Sequence, residues 1–224
     1  MTFSLVGRCA RTGMLGMVVA SSSPAVAARC AWARPGVGAV ATQNVTDPSL
    51  GPRVLDLMAR GRPAAGALDE VVTGAPHIEY RQLAVIDAQG RTASYSGART
   101  LGRHASRGGK DCLAAGNLLA GEMVTVAMVR AFEQRTQEHL AGRLLAALRA
   151  GQVAGGEEGP VRSCGLLVVD RVTWPVTDLR VDWHRDPVTE LARLWAVWRP
   201  QEAEYVQRAL DPAAAPGYRV PGDD

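Results

Sequence analysis

Lysine is almost missing from this chain. Lys110 is the only one, and arginine supplies the rest of the 25 basic residues. The arginines are interspersed with 22 acidic residues, leaving a formal net charge of +3. No stretch gathers them on one helical face with aromatics between, which argues against nucleic acid as a partner. With abundant Ala and Gly, the arginine bias reads as the mark of a GC-rich coding sequence. Long apolar runs are lacking too. No segment approaches the ~18 residues of a membrane span, and the N-terminus has no basic stretch leading into an apolar one. Cys9, Cys30, Cys112 and Cys164 are widely spaced with no C-x-x-C pair, which excludes a zinc ribbon or a redox dithiol. The expectation is a cytoplasmic protein with reduced thiols, no membrane partner, no metal and no cofactor. Recognised catalytic signatures are also short. There is no G-x-S-x-G elbow, and His77, His104 and His139 have no triad partner nearby in sequence.

Hydrophobic residues make up 47% of 224 positions, enough for the core of one domain. The pattern predicts strands over 2–8 and 14–21 around an Arg11-Thr12-Gly13 turn, then a loop to Pro35, then a strand over 36–43. Helices are expected from Pro52 to Gly61 and from Pro63 to Gly74. A second hairpin spans 83–96, followed by a glycine-rich loop (97–109) and a short strand at 112–115. Helical faces recur after Gly121 and at Leu140, Leu144 and Leu148, and Gly151–Pro160 reads as a flexible turn. A last strand pair covers 165–169 and 176–181, and Asp186-Pro187 caps a final helix. Paired strands separated by pairs of helices predict an α+β fold with a largely antiparallel sheet arrangement. Residues 2–198 are expected to form the domain. Residues 199–224 read as a short helix and a poorly ordered tail.

Position 2 draws attention for its chemistry. Aminopeptidases remove an initiator Met when a small residue follows, so a mature chain can begin at Thr2. Such a threonine carries a hydroxyl nucleophile and an α-amine base on one residue. With a pKa of roughly 7.7–8.0 that amine can accept the hydroxyl proton near neutrality. In a hairpin, the end of the second strand returns beside the start of the first. That places Ser21-Ser22-Ser23 near Thr2, either as a hydroxyl-capped turn or as part of a site. Gln43 and Asn44 close the third strand, and Asn117 follows a later one. Their amides are the kind of donor that stabilises an oxyanion.

Two other motifs have plainer readings. Gly36-x-Gly38-x-x-Ala41 matches a dinucleotide fingerprint, yet it sits within a strand instead of between strand and helix, so its glycines are assigned to close packing. Asp182, His184 and Asp186 alternate as metal ligands sometimes do, but Asp186 as a helix cap is the favoured account.

Thr2–Val6, Ala20–Ser23, the segment from Trp32 to Gln43, Gly51-Pro52, Gly116–Gly121 and Leu179–Asp182 with His184 and Asp186-Pro187 together resemble the bacterial family catalogued as domain of unknown function 1028. That family is grouped with the Ntn-hydrolase-like proteins. The resemblance runs over roughly residues 2–195. It implies a four-layer αββα sandwich of two largely antiparallel sheets with the first strand inside the site. By position it implies Thr2 as nucleophile, Asn117 as a catalytic partner, and Ser22, Gln43, Asn44 and Trp32 as substrate-binding residues. The chain departs from many relatives in having only serines around Ser22, with no Lys or His there. The superfamily's usual chemistry implies hydrolysis of a small amide, lactam or ureido C–N bond. The alternative is a non-catalytic relative that binds a small ligand or builds a homo-oligomeric scaffold.

Overall fold

The computed structural model describes residues 1–218. The last six residues of the C-terminal segment, part of the stretch expected to be a tail, lie outside the described residues. Ten strands and seven α-helices follow in order: β1 (Thr2–Arg8), β2 (Leu15–Ser21), α1 (Val26–Cys30), β3 (Ala31–Arg34), β4 (Gly38–Asn44), α2 (Leu50–Ala59), α3 (Ala64–Gly74), β5 (Arg81–Asp87), β6 (Thr92–Ser96), β7 (Ala105–Gly109), β8 (Cys112–Asn117), α4 (Met123–Glu133), α5 (Leu140–Val153), β9 (Ser163–Val169), β10 (Pro175–Val181), α6 (Pro187–Trp198) and α7 (Glu202–Leu210).

The strands form two sheets. One has six in the order β10-β9-β2-β1-β8-β7, the other four in the order β3-β4-β5-β6. Every pairing within them is antiparallel. Strand periodicity sorts the side chains into layers. Phe3, Leu5, Val18 and Ala20 point outward from the larger sheet, where Met128, Phe132, Leu144 and Leu148 of α4 and α5 cover them. Val6, Met17, Val19 and Leu113 point inward and meet Ala39, Ala41, Ala84 and Ile86 of the smaller sheet. On its far side, Val40, Leu83 and Val85 lie under Leu50, Val54, Leu68 and Val71 of α2 and α3. Helices therefore flank two facing sheets. β1 sits inside the larger sheet between β2 and β8 and is buried along nearly its whole length, as its apolar run requires.

Two segments expected to be loops contain structure. Between Pro24 and Pro35 lie α1 and β3, elements of five and four residues, too short to show a period. The glycine-rich loop holds β7, an edge strand with exposed Ser106, Arg107 and Gly108. α5 also runs three residues into the stretch from Gly151 that was expected to be a turn.

The glycines of the Gly36–Ala41 motif act in packing. A Cβ on Gly38 would lie 2.4 Å from the Ile86 carbonyl oxygen and 2.6 Å from Met58 Cε. Gly51 is similarly constrained, since a Cβ there would fall 2.2 Å from Trp32 Cδ1. Gly51→Ala is expected to lower stability by about 1–3 kcal/mol through overpacking. Urea denaturation checks this, and an unchanged midpoint would contradict the Trp32–α2 contact.

Candidate active site

The alternation that builds the sandwich core also gathers polar side chains at one end of it. Thr2, Ser4 and Val6 share the inward face of β1. In register, Thr2 pairs with Ser21 on one side and Asn117 on the other. Ser21 and Asn117 continue the inward rows of Met17 and Val19, and of Leu113 and Ala115. Across the gap, Gln43 and Gln82 continue the inward rows of β4 and β5 and pair with each other. Ser4, Ser21, Gln43, Gln82 and Asn117 are wholly buried, and Thr2 nearly so.

A chain of hydroxyls ends on the Met1 carbonyl. Arg29 Nη2 donates to Ser23 Oγ at 2.6 Å, and Ser23 Oγ lies 2.8 Å from Ser21 Oγ. Ser21 Oγ in turn donates to the Met1 carbonyl at 2.5 Å. Because the Met1 carbonyl can only accept, the single Ser21 hydroxyl proton is committed to it and Ser23 donates to Ser21, so each bond polarises the next toward the carbonyl. Thr2 Oγ1 donates to the same oxygen at 2.6 Å and stands 3.4 Å from Ser21 Oγ. Two hydroxyls thus hold one amide carbonyl, and a guanidinium backs one of them. The cation in this cluster comes from α1.

Beneath lies an amide network whose orientation is set by a single backbone group. Gln82 Nε2 donates to the Gly116 carbonyl at 3.0 Å and to Ser96 Oγ at 3.1 Å. Since a carbonyl can only accept, Gln82 Oε1 must face the other way. There it accepts from Gln43 Nε2 at 2.8 Å and from Asn117 Nδ2 at 3.0 Å. Gln43 Oε1 is left to accept from Ser4 Oγ at 2.7 Å. One N–H of Asn117 is therefore committed to Gln82. The atom that remains without a partner among the described residues is its buried acceptor, Oδ1.

Glu157 closes this end of the molecule. It lies between α5 and β9 and forms an isolated bridge with Leu119, just beyond β8. Its residue is 4% exposed, and neither carboxylate oxygen has a hydrogen-bond partner among the described residues. Burial pushes its pKa up to about 7, opposed first by the nearby N-terminal charge and then by Ser22, whose hydroxyl and N–H approach the carboxylate without hydrogen-bond geometry.

The structure brings Thr2, Asn117 and Gln43 into one polar cluster with Ser21 and Gln82. Ser22 falls just past β2, beside Glu157. Asn44 has a left-handed backbone (φ 74) and serves as a tie. It donates to the Tyr80 carbonyl at 2.5 Å and accepts from Leu101 N at 3.2 Å. Trp32 lies on the opposite face of the smaller sheet, packed with the α2–α3 layer, so it does not reach Thr2. His184 accepts from Asp186 N at 3.1 Å, and Asp186 caps α6 through Thr189 N. No group of three or more metal-ligating side chains stands together among the described residues.

Gln82, Ser21 and Glu157 are the members that sequence reasoning missed. Gln82 sat one residue before the strand drawn from Leu83. Ser21 was indistinguishable from its serine neighbours without the register. Glu157 lies in Gly-Gly-Glu-Glu-Gly-Pro, which reads as solvent-facing. Cavities open away from this cluster. One of about 530 Å³ is lined by Cys9, Lys110 and Arg143 at the far end of β1. Another, of about 320 Å³, lies under α7 beside Val176 and Val206. No described helix is long and apolar enough to cross a membrane.

The sequence profile described as "Family of unknown function (DUF1028)" matches residues 2–191. The chain belongs to that family. Among solved structures it is similar to protein SPO2555 from Silicibacter pomeroyi, a member of the same family. The two are 27% identical with a TM-score of 0.83, over 92% of this chain and 94% of that one. A distant likeness to Anbu, the ancestral β-subunit, from Yersinia bercovieri covers 97% of this chain and 100% of that one. That likeness has 12% identity and a TM-score of 0.35. No curated protein matches the chain.

Proposed function

We propose that this family member binds a small amide, lactam or ureido molecule at the start of β1, in a site that the excision of Met1 opens. The observation that carries the reading is the Met1 carbonyl, held by the Thr2 and Ser21 hydroxyls at 2.6 and 2.5 Å. That carbonyl stands in for the carbonyl of the ligand. Asn117 Oδ1, buried and without a partner, suits a ligand N–H. A carbonyl to accept two hydroxyl protons and an N–H to donate are what an amide or ureide offers.

A second reading is favoured by Thr2 itself, whose hydroxyl and α-amine would then face the same carbonyl. In this reading the protein is an Ntn-type hydrolase. Thr2 Oγ attacks the carbonyl carbon while the α-amine takes the hydroxyl proton and passes it to the leaving nitrogen. The C–N bond breaks, an ester remains on Thr2, and water hydrolyses it. Ser21, polarised through Ser23 by Arg29, would face the developing oxyanion. Domain limits of 2–198 and self-association belong to the same reading of the chain.

The test begins with intact mass, which should lack Met1. A panel of small amides and cyclic ureides is then titrated into wild type, Ser21→Ala and Thr2→Ala. Ser21→Ala should weaken binding about tenfold, the worth of one hydrogen bond to a held carbonyl. Product formation abolished in Thr2→Ala, with binding weakened no more than in Ser21→Ala, would establish the hydrolase. Binding without product in wild type would leave the ligand-binding protein. Retained Met1 with no binding by any variant would reject both.

A further inference from the structure

We propose that the cavity at the far end of β1 is an anion-binding site, in which the buried guanidinium of Arg143 receives a carboxylate or phosphate of a small molecule. It lies past Arg8, at the opposite end of β1 from Thr2, and stands or falls independently of the amide site.

Arg143 of α5 is 3% exposed and lines this cavity of about 530 Å³. Its Nε donates to the Phe132 carbonyl at 3.3 Å, in the last turn of α4. The Phe132 ring covers one face of the guanidinium, 3.9 Å from its carbon. Neither Nη makes a hydrogen bond or an ion pair among the described residues. A guanidinium cannot shed its proton, and a buried charge without a counter-ion is costly. The ring and the Nε bond fix the plane of the group, which leaves the two Nη atoms as a fork suited to two parallel bonds to an oxyanion.

The mouth of the cavity adds charge of the same sign. Arg11 and Lys110, the chain's only lysine, are exposed there. Of the two carboxylates in the lining, Asp111 is already paired with Arg8 at 2.8 Å, and Glu133 Oε1 accepts from the Lys110 backbone N–H at 2.7 Å. The cations therefore outweigh the one carboxylate that has no ion pair. The volume also falls within the roughly 300–1,000 Å³ of small-molecule sites.

The test is calorimetric titration of the full chain at low ionic strength with inorganic phosphate and with succinate. Wild type, Arg143→Lys and Lys110→Ala are compared. Wild type should bind at least one anion with one-to-one stoichiometry, and the tighter of the two shows whether phosphate or carboxylate is the group received. Arg143→Lys keeps the charge but loses the fork, and should weaken that binding at least about tenfold. Lys110→Ala, at an exposed position, should weaken it about threefold and leave the melting temperature unchanged. No binding of either anion by wild type would overturn the site, as would an affinity within about twofold of wild type in folded Arg143→Lys. If Arg143→Lys does not fold, Lys110→Ala decides: weaker binding supports the site, and unchanged binding overturns it.

Discussion

Gln82→Leu should be among the most destabilising single substitutions in the molecule, costing about 3–6 kcal/mol and lowering Tm by roughly 10–20 °C. Gln82 is wholly buried and makes four hydrogen bonds, two as donor and two as acceptor. A leucine fills most of its volume but strands the amide donors of Gln43 and Asn117 and the Gly116 carbonyl in a dry inter-sheet layer. An unpaired buried polar group costs about 1–3 kcal/mol each, whereas removing both partners of a bond is nearly neutral. Adding Gln43→Leu and Asn117→Leu should therefore cost far less than the sum of the three single changes. Chemical denaturation of the singles and the triple checks this. A Gln82→Leu midpoint within error of wild type would mean that the network is solvated in solution.

Glu157→Gln should change stability with pH in a defined sense. The folded pKa, raised by burial to about 7, lies above the ordinary carboxylate value. Between these two values the native state holds a proton that the unfolded chain has released. Stability therefore falls as pH rises through this window and is lowest above about pH 7. The variant lacks this loss. Its advantage over wild type should be small near pH 4.5 and grow to at most about 3 kcal/mol near pH 8, less any screening by water. The N-terminal ammonium facing Glu157 works against the effect and is present in both proteins. Thermal melts of the pair across pH 4–8 measure it, and parallel profiles would show that Glu157 is solvated or already paired.

The legible part of this molecule was its periodicity. Alternating and continuous apolar runs marked β1, β2, β4, β5 and β9, and the Arg11-Thr12-Gly13 turn brought Ser21–Ser23 back to Thr2. What periodicity cannot give is parity across a pairing. A register of Thr2 with Ser21 sends Ser21 inward and leaves Ser22 to the loop, and nothing in three consecutive serines distinguishes them. The family resemblance implied Trp32 at the site, and parity again decides where it lies. In Ala-Trp-Ala-Arg one face is the inter-sheet core and the other lies under α2, and Gly51 shows which one holds the indole. Gln82 and Glu157 stayed hidden for a different reason. Their meaning comes from partners distant in sequence, and polar residues in such contexts read as exposed. β7 escaped because an edge strand of Ser, Arg and Gly carries almost no hydrophobic signal. Asn117 was legible as a member of the cluster, but its role follows from the Gly116 carbonyl, which sets the direction of every amide in the network.

The reading turns on Met1 occupying a place made for a ligand, and one comparison addresses this directly. The affinity of a small amide and of a small cyclic ureide is measured for the Met1-free protein and for a form that keeps Met1 behind an uncleaved N-terminal extension. The Met1-free protein should bind, and the extended form should not, because its own carbonyl fills the place between Thr2 and Ser21. Equal binding by the two forms, or none by the Met1-free protein, would contradict it.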